Sequence, residues 1–149
     1  MNEHEEVGYS LYIAWLAAIV ATGGSLYFSE IRGFIPCELC WYQRILMYPL
    51  VILLGIACFR GDKHIIPYIL PLSIIGGCFS IYHYSEQKFS APSICTAGPV
   101  PCSGEYINWL GFITIPLMAL TAFVIITVVL SISYKKTKNA IRQTSSEQG

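Results

Sequence analysis

The sequence predicts an all-α membrane protein, an antiparallel bundle of four transmembrane helices with two extracytoplasmic loops. Three observations lead there. Of the 149 residues, 54% are hydrophobic and only 12% charged, against about 25% charged in an ordinary soluble domain. Charged residues are missing altogether from Val7–Ser29, Ile45–Phe59, Ile65–Ser85 and Tyr106–Tyr134. A soluble fold would have to bury four uniformly apolar helices with too few polar residues left to cover them.

The first, third and fourth stretches reach the roughly 20 residues needed to cross a hydrocarbon core of about 30 Å. The second falls short. Ile45–Phe59 is 15 residues long, about 22 Å of helix, so its span must run back through Trp41, Tyr42, Gln43 and Arg44. The expected organisation is one domain over residues 1–149 with spans at about 9–29, 41–59, 65–85 and 107–134. The short Arg60–His64 connection makes the second and third spans antiparallel neighbours. The tail, 135–149, is polar and is predicted to be disordered. Pro49, Pro67, Pro71 and Pro116 fall inside spans, where proline kinks a helix. Gly23, Gly24, Gly76 and Gly77 read as close-packing contacts between helices.

The amino-terminal segment carries Glu3, Glu5 and Glu6 without Lys or Arg, the reverse of a secretory signal's basic start, so the first span is predicted to be retained. Orientation follows the basic residues of the short connections. With both termini cytoplasmic, the inner side holds Arg60, Lys63, Lys135, Lys136, Lys138 and Arg142, and the outer side Arg32, Arg44 and Lys88. The expectation is a multi-pass protein of the cell membrane, surrounded by lipid. A net charge of zero, with no basic patch among aromatics, leaves nucleic-acid binding without support.

The chemistry lies on cysteines. Cys58 and Cys78 fall within spans, where a free thiol behaves as a small apolar side chain. Cys37, Cys40, Cys95 and Cys102 occupy the two outer connections, on the side where disulfides form and persist. Cys37-Glu38-Leu39-Cys40 is a C-x-x-C element running into the second span behind Pro36, a residue suited to a helix start. Cys40 is therefore expected in the first turn, where the helix dipole favours a thiolate. Arg44 follows four residues later on the same face, about one turn inside the bilayer, and an intramembrane arginine is a functional candidate. An interfacial anchor beside Trp41 and Tyr42 is the plainer role for Arg44, but it does not account for a C-x-x-C one turn away.

The second pair, Cys95 and Cys102, lies in a loop rich in Pro and Gly, and a structural staple is its plain reading. A zinc site on all four outer cysteines fits poorly, because six residues separate Cys95 from Cys102, wider than the usual ligand spacing. His4 and His64 fall on the inner side, and His83, between Tyr82 and Tyr84, reads as an interface residue rather than a ligand.

The run Cys37-Glu38-Leu39-Cys40-Trp41-Tyr42-Gln43-Arg44, opening the second of four spans and followed by a second outer pair, resembles the DsbB family of membrane disulfide oxidases. The short second loop looks most like its BdbC branch. The resemblance implies a thiol:quinone oxidoreductase that reoxidises a thioredoxin-like extracytoplasmic thiol oxidase of the DsbA or BdbD kind and passes the electrons to a membrane quinone, menaquinone or ubiquinone. It implies that Cys40 faces the quinone with Cys37 as its disulfide partner, and that Arg44 holds the quinone ring and stabilises the thiolate. Cys95 would be attacked by the partner's thiolate, and Cys102 would pair transiently with Cys37. Two departures stand out: Gln43 precedes Arg44 where longer members often have an acid, and the second loop is tight. A vitamin K epoxide reductase-like enzyme would place its C-x-x-C after the loop pair, not before it. A non-enzymatic protein braced by two disulfides would differ in resisting a mild dithiol.

Overall fold

The computed structural model describes residues 3–33, 35–89 and 115–147. Helix α1 spans Glu3–Leu26 and continues through a wide π-helical turn, Tyr27–Ile31; α2 spans Glu38–Arg60, α3 Ile66–Phe89 and α4 Ile115–Glu147. No strand occurs among the described residues. In lipid every backbone N–H and C=O must find its partner within the segment, and a helix achieves that. Four segments, Glu5–Ile31, Glu38–Arg60, Lys63–Phe89 and Ile115–Ser146, are long and apolar enough to cross a membrane. The protein is an all-α membrane bundle.

The helices close into a ring in which α1 packs on α2 and α4, and α3 on α2 and α4. Gly61 ends α2 in the left-handed conformation, φ 62°, which glycine adopts without a Cβ clash. Asp62 then accepts a hydrogen bond of 2.9 Å from the His64 N–H, and the chain reverses into α3.

Several boundaries differ from expectation. Helix α2 begins at Glu38, so the C-x-x-C is partly helical, as Pro36 and the short apolar stretch require. Helix α4 continues to Glu147 through the tail expected to be disordered. The span supplies the nucleus, whose cost is the barrier to an isolated helix, and Lys135, Lys136 and Lys138 propagate a helix well. Lys136 also pairs with Glu6 of α1. That contact sets the start of α1 beside the end of the fourth span. Of the prolines, Pro49 and Pro71 are interior to helices, whereas Pro67 sits in the first turn of α3, where its missing donor costs nothing.

Between the helices lie Val7, Leu11, Ala14 and Ala18 of α1, Leu50, Leu54 and Ala57 of α2, Ile66 and Ile69 of α3, and Phe123, Ile126 and Leu130 of α4. The opposite faces expose Val20, Ile52, Phe59 and Tyr68. Apolar residues all round a helix suit a lipid surrounding, not water. Polar ties cross the core: Ser73 Oγ lies 2.8 Å from Thr127 Oγ1 and donates to the Phe123 carbonyl at 3.2 Å, and Trp15 Nε1 donates to the Val51 carbonyl at 3.1 Å. Gly76 is a true contact glycine, since a Cβ there would meet the Phe123 ring at 2.2 Å. Gly23 and Gly24 make no such contact among the described residues, where a Cβ at either meets nothing within 4 Å. Gly76→Ala should therefore cost about 1–3 kcal/mol by overpacking, read as a lower thermal midpoint in detergent, with Gly23→Ala unaffected and Phe123→Leu restoring much of the loss.

Candidate active site

Cys37 is the N-cap residue of α2, with extended backbone (φ −70°, ψ 171°), and it makes no side-chain cap bond. Its carbonyl accepts from the Trp41 N–H at 3.2 Å, which starts the helix and places Cys40 in the first turn. The two sulfurs are 3.0 Å apart and both thiols are free. Cys37 is buried, and Cys40 partly so.

Arg44, one turn further, is buried rather than reaching for the membrane surface. Its Nε donates to Ser25 Oγ at 2.9 Å, Nη2 to the Ser25 carbonyl at 2.8 Å, and Nη1 to Ser29 Oγ at 3.4 Å. The Trp41 ring lies beneath the guanidinium, 5.7 Å from centroid to Cζ. Ser25 precedes the π-helical turn and Ser29 lies in it; a turn closed i to i+5 departs from regular carbonyl pairing and is frequent at functional sites.

From α3, His83 projects into the same place. Its Nε2 is 3.6 Å from Cys37 Sγ and its Nδ1 is 3.3 Å from Gln43 Nε2. With the Gln43 amide donating to Nδ1, the neutral ring carries its proton on Nε2, facing the sulfur. The Cys37 thiol is held well below the ordinary thiol range. A hydrogen bond from Cys40 is the main cause, and the hydrogen bond of His83 adds to it against the cost of burial.

These groups line a cavity of about 280 Å³ open between the helices. Cys37, Cys40, Gln43, Arg44 and His83 form its polar side, and Val20, Ala21, Phe28, Met47, Met118 and Ala122 are among its apolar walls. Gly24 also borders it.

The structure thus brings together Cys37, Cys40 and Arg44 as the sequence predicts. Cys95 and Cys102 lie outside the described residues. His83, expected at the interface, is instead buried at 1% exposure against Cys37, because it continues the inward face Ser73, Gly76 and Ser80. That spacing of three, four and three was the available signal. Gln43 stood out in the sequence only as a departure from the family pattern; its contact with His83 was not legible there, because nothing in the sequence named its partner.

A dithiol at a helix start, facing an apolar cavity inside a four-helix membrane bundle, defines a membrane oxidoreductase of disulfide chemistry. The profile of the family described as "Disulfide bond formation protein DsbB" matches residues 9–133, and the chain belongs to that family. The chain is 63% identical over 121 residues to "Disulfide bond formation protein C" of Bacillus subtilis (strain 168), covering 79% of this chain and 87% of the relative. It is 55% identical over 130 residues to "Probable disulfide formation protein C 1" of Bacillus anthracis, covering 86% and 94%. A "Probable disulfide formation protein" of Coxiella burnetii (strain CbuK_Q154) is 44% identical over 129 residues, covering 85% and 88%. No solved structure matches the chain.

A depressed thiol pKa means that the thiolate is present at neutral pH and is lost only as pH falls through the lowered value. Alkylation of reduced protein by iodoacetamide, followed at Cys37 by peptide mass mapping, should accordingly remain fast below pH 7. His83→Ala should move its midpoint up by about one unit; an unmoved midpoint would detach His83 from the thiol.

Proposed function

We propose that this protein reoxidises a thioredoxin-like extracytoplasmic thiol oxidase and delivers the electrons to a membrane quinone, menaquinone or ubiquinone, with both termini in the cytoplasm and the cysteine loops outside. The observation that carries this reading is the free Cys37–Cys40 pair at the edge of an apolar cavity whose wall holds the fixed Arg44 guanidinium. The residues present fit a flat, apolar ring with polar oxygens. The walls are largely hydrophobic, Arg44 offers charged N–H donors, and Thr22 Oγ1, which borders the cavity, is buried with no hydrogen-bond partner among the described residues. A quinone bound there supplies a sink for two electrons and two protons.

The protein's own residues do the rest. A thiolate of the partner attacks Cys95 and releases Cys102, and the second partner thiol then resolves the mixed disulfide, so the partner leaves oxidised and both loop cysteines are reduced. Cys102 next attacks the Cys37–Cys40 disulfide at Cys37 and releases Cys40 as a thiolate beside the cavity. The Arg44 guanidinium, one turn along the same helix from Cys40, offsets that negative charge. Cys95 then attacks Cys102 of the Cys37–Cys102 disulfide and releases Cys37, so the loop disulfide is restored and Cys37 and Cys40 are left as the reduced dithiol. The Cys37–Cys40 bond re-forms as the two electrons and two protons of that dithiol pass to a quinone held in the cavity. His83 and Gln43 keep Cys37 in position for both exchanges.

Anaerobic mixing of reduced protein with a soluble quinone tests the reading directly. Stoichiometric quinone loss with disappearance of two thiols is expected for wild type and should be abolished in Cys40→Ser; no quinone loss in wild type would overturn it. Arg44→Met should raise the apparent KM for quinone by about 10- to 100-fold, the worth of a charged hydrogen bond, with thiol exchange to the partner intact.

A further inference from the structure

Cys37 Sγ, Cys40 Sγ and the His83 ring nitrogen lie within 4.8 Å of one another. We propose that the reduced protein binds a thiophilic divalent cation, with zinc as the type, through Cys37, Cys40 and His83, and that the oxidised protein does not. The inference rests on the reading of Cys37 and Cys40 as a redox pair, and it adds a site that can close that pair to electron transfer.

The geometry is close to what such an ion needs. Tetrahedral zinc with bonds of about 2.3 Å to sulfur and 2.0 Å to nitrogen sets S and N about 3.5 Å apart and two sulfurs about 3.8 Å apart. Cys37 Sγ and His83 Nε2 are already 3.6 Å apart. The sulfurs, at 3.0 Å, need to separate by about 0.8 Å to meet that edge, a small side-chain rotation at the N-cap residue. The C-x-x-C spacing is itself a usual one for paired zinc ligands.

Charge and surroundings agree. Two thiolates and a neutral imidazole cancel the charge of a divalent cation, so the complex is neutral and its burial avoids the cost of an isolated ion. Binding would release to solvent whatever proton the two sulfurs still carry. A ligating histidine needs a partner for its other ring nitrogen. Gln43 stands 3.3 Å from Nδ1, and turning its amide over presents Oε1 as the acceptor of Nδ1–H. Three protein ligands leave a fourth position, on the side where all three residues border the cavity, for a water molecule. A disulfide offers no thiolate, so the ion is held in one redox state only. While held, it occupies both sulfurs, and neither can enter exchange. No electron moves to or from the cation.

Cobalt(II), a spectroscopic stand-in for zinc, provides the test. Full-length reduced protein, titrated anaerobically in detergent, should develop a thiolate-to-cobalt band and four-coordinate d–d bands at one equivalent, displaced by zinc. Cys95→Ser/Cys102→Ser should keep the bands. His83→Ala should lose the four-coordinate pattern, and Gln43→Leu, which leaves all three ligands in place, should weaken binding about 10- to 100-fold. No band in the reduced wild type, an equal band in the oxidised protein, or loss of the band in the Cys95→Ser/Cys102→Ser variant would overturn the proposal. Metal-free quinone reduction, run on the same preparation, separates the two readings: bands without quinone reduction sink the oxidase assignment alone, and quinone reduction without bands sinks the metal site alone.

Discussion

A guanidinium placed among apolar helices must have its N–H groups matched, because an unpaired charge in that setting is among the most costly arrangements a protein can contain. Arg44 meets this through α1: Ser25 gives both its hydroxyl and its carbonyl, and Ser29 gives its hydroxyl. The contact decides more than the comfort of one side chain. It fixes the rotation of α2 about its axis, since Arg44 can face only the serines, and Cys40 one turn earlier is carried to the same side. It also ties α1 to α2 at the end of the bundle where the thiols lie, while the opposite end is joined by Lys136 and Glu6.

Helix α3 contributes in the same manner with smaller residues. Ser73 and Gly76 let its backbone come close to α4, and His83, further along the same buried face, meets Cys37 of α2. The site is therefore assembled from three helices: a dithiol and an arginine from α2, two serines from α1 and its terminal turn, and an imidazole from α3. The Gln43 side chain joins the last of these to the first. Small changes in packing far down α3 would be felt at the sulfur, because no covalent link holds His83 there.

How much of this was legible in the sequence follows from the range of each cue. Charge-free stretches announce spans, because lipid excludes charge residue by residue, and the short second stretch placed Arg44 inside the bilayer without any structure. Cys37, Cys40 and Arg44 could be grouped since they lie within two turns of one helix. Helical tail and close-contact glycines were harder. The continuation of α4 past Tyr134 depends on a helix already nucleated in the membrane, and Gly23 and Gly24 carry the same composition cue as Gly76 while meeting no neighbour among the described residues. His83 and the serines were out of reach for a different reason: their partners come from other helices, and the phase of one helix against another is not written in either alone.

The wide turn Tyr27–Ile31 makes chain length itself part of the site. A turn closed i to i+5 holds one residue more than an α turn, and the Arg32 N–H to Tyr27 carbonyl bond of 3.2 Å is of that kind. Loss of a single residue there would let the helix relax to ordinary pitch and swing everything after it by about 100°, taking Ser29 off the guanidinium and re-aiming the strand of chain that leads to Cys37. Within this stretch the exposed Tyr27 and Ile31 are free to drift in identity, but insertions and deletions are not neutral. The constraint is one of counting rather than of chemistry, and it would be invisible to any comparison that scores residues one at a time.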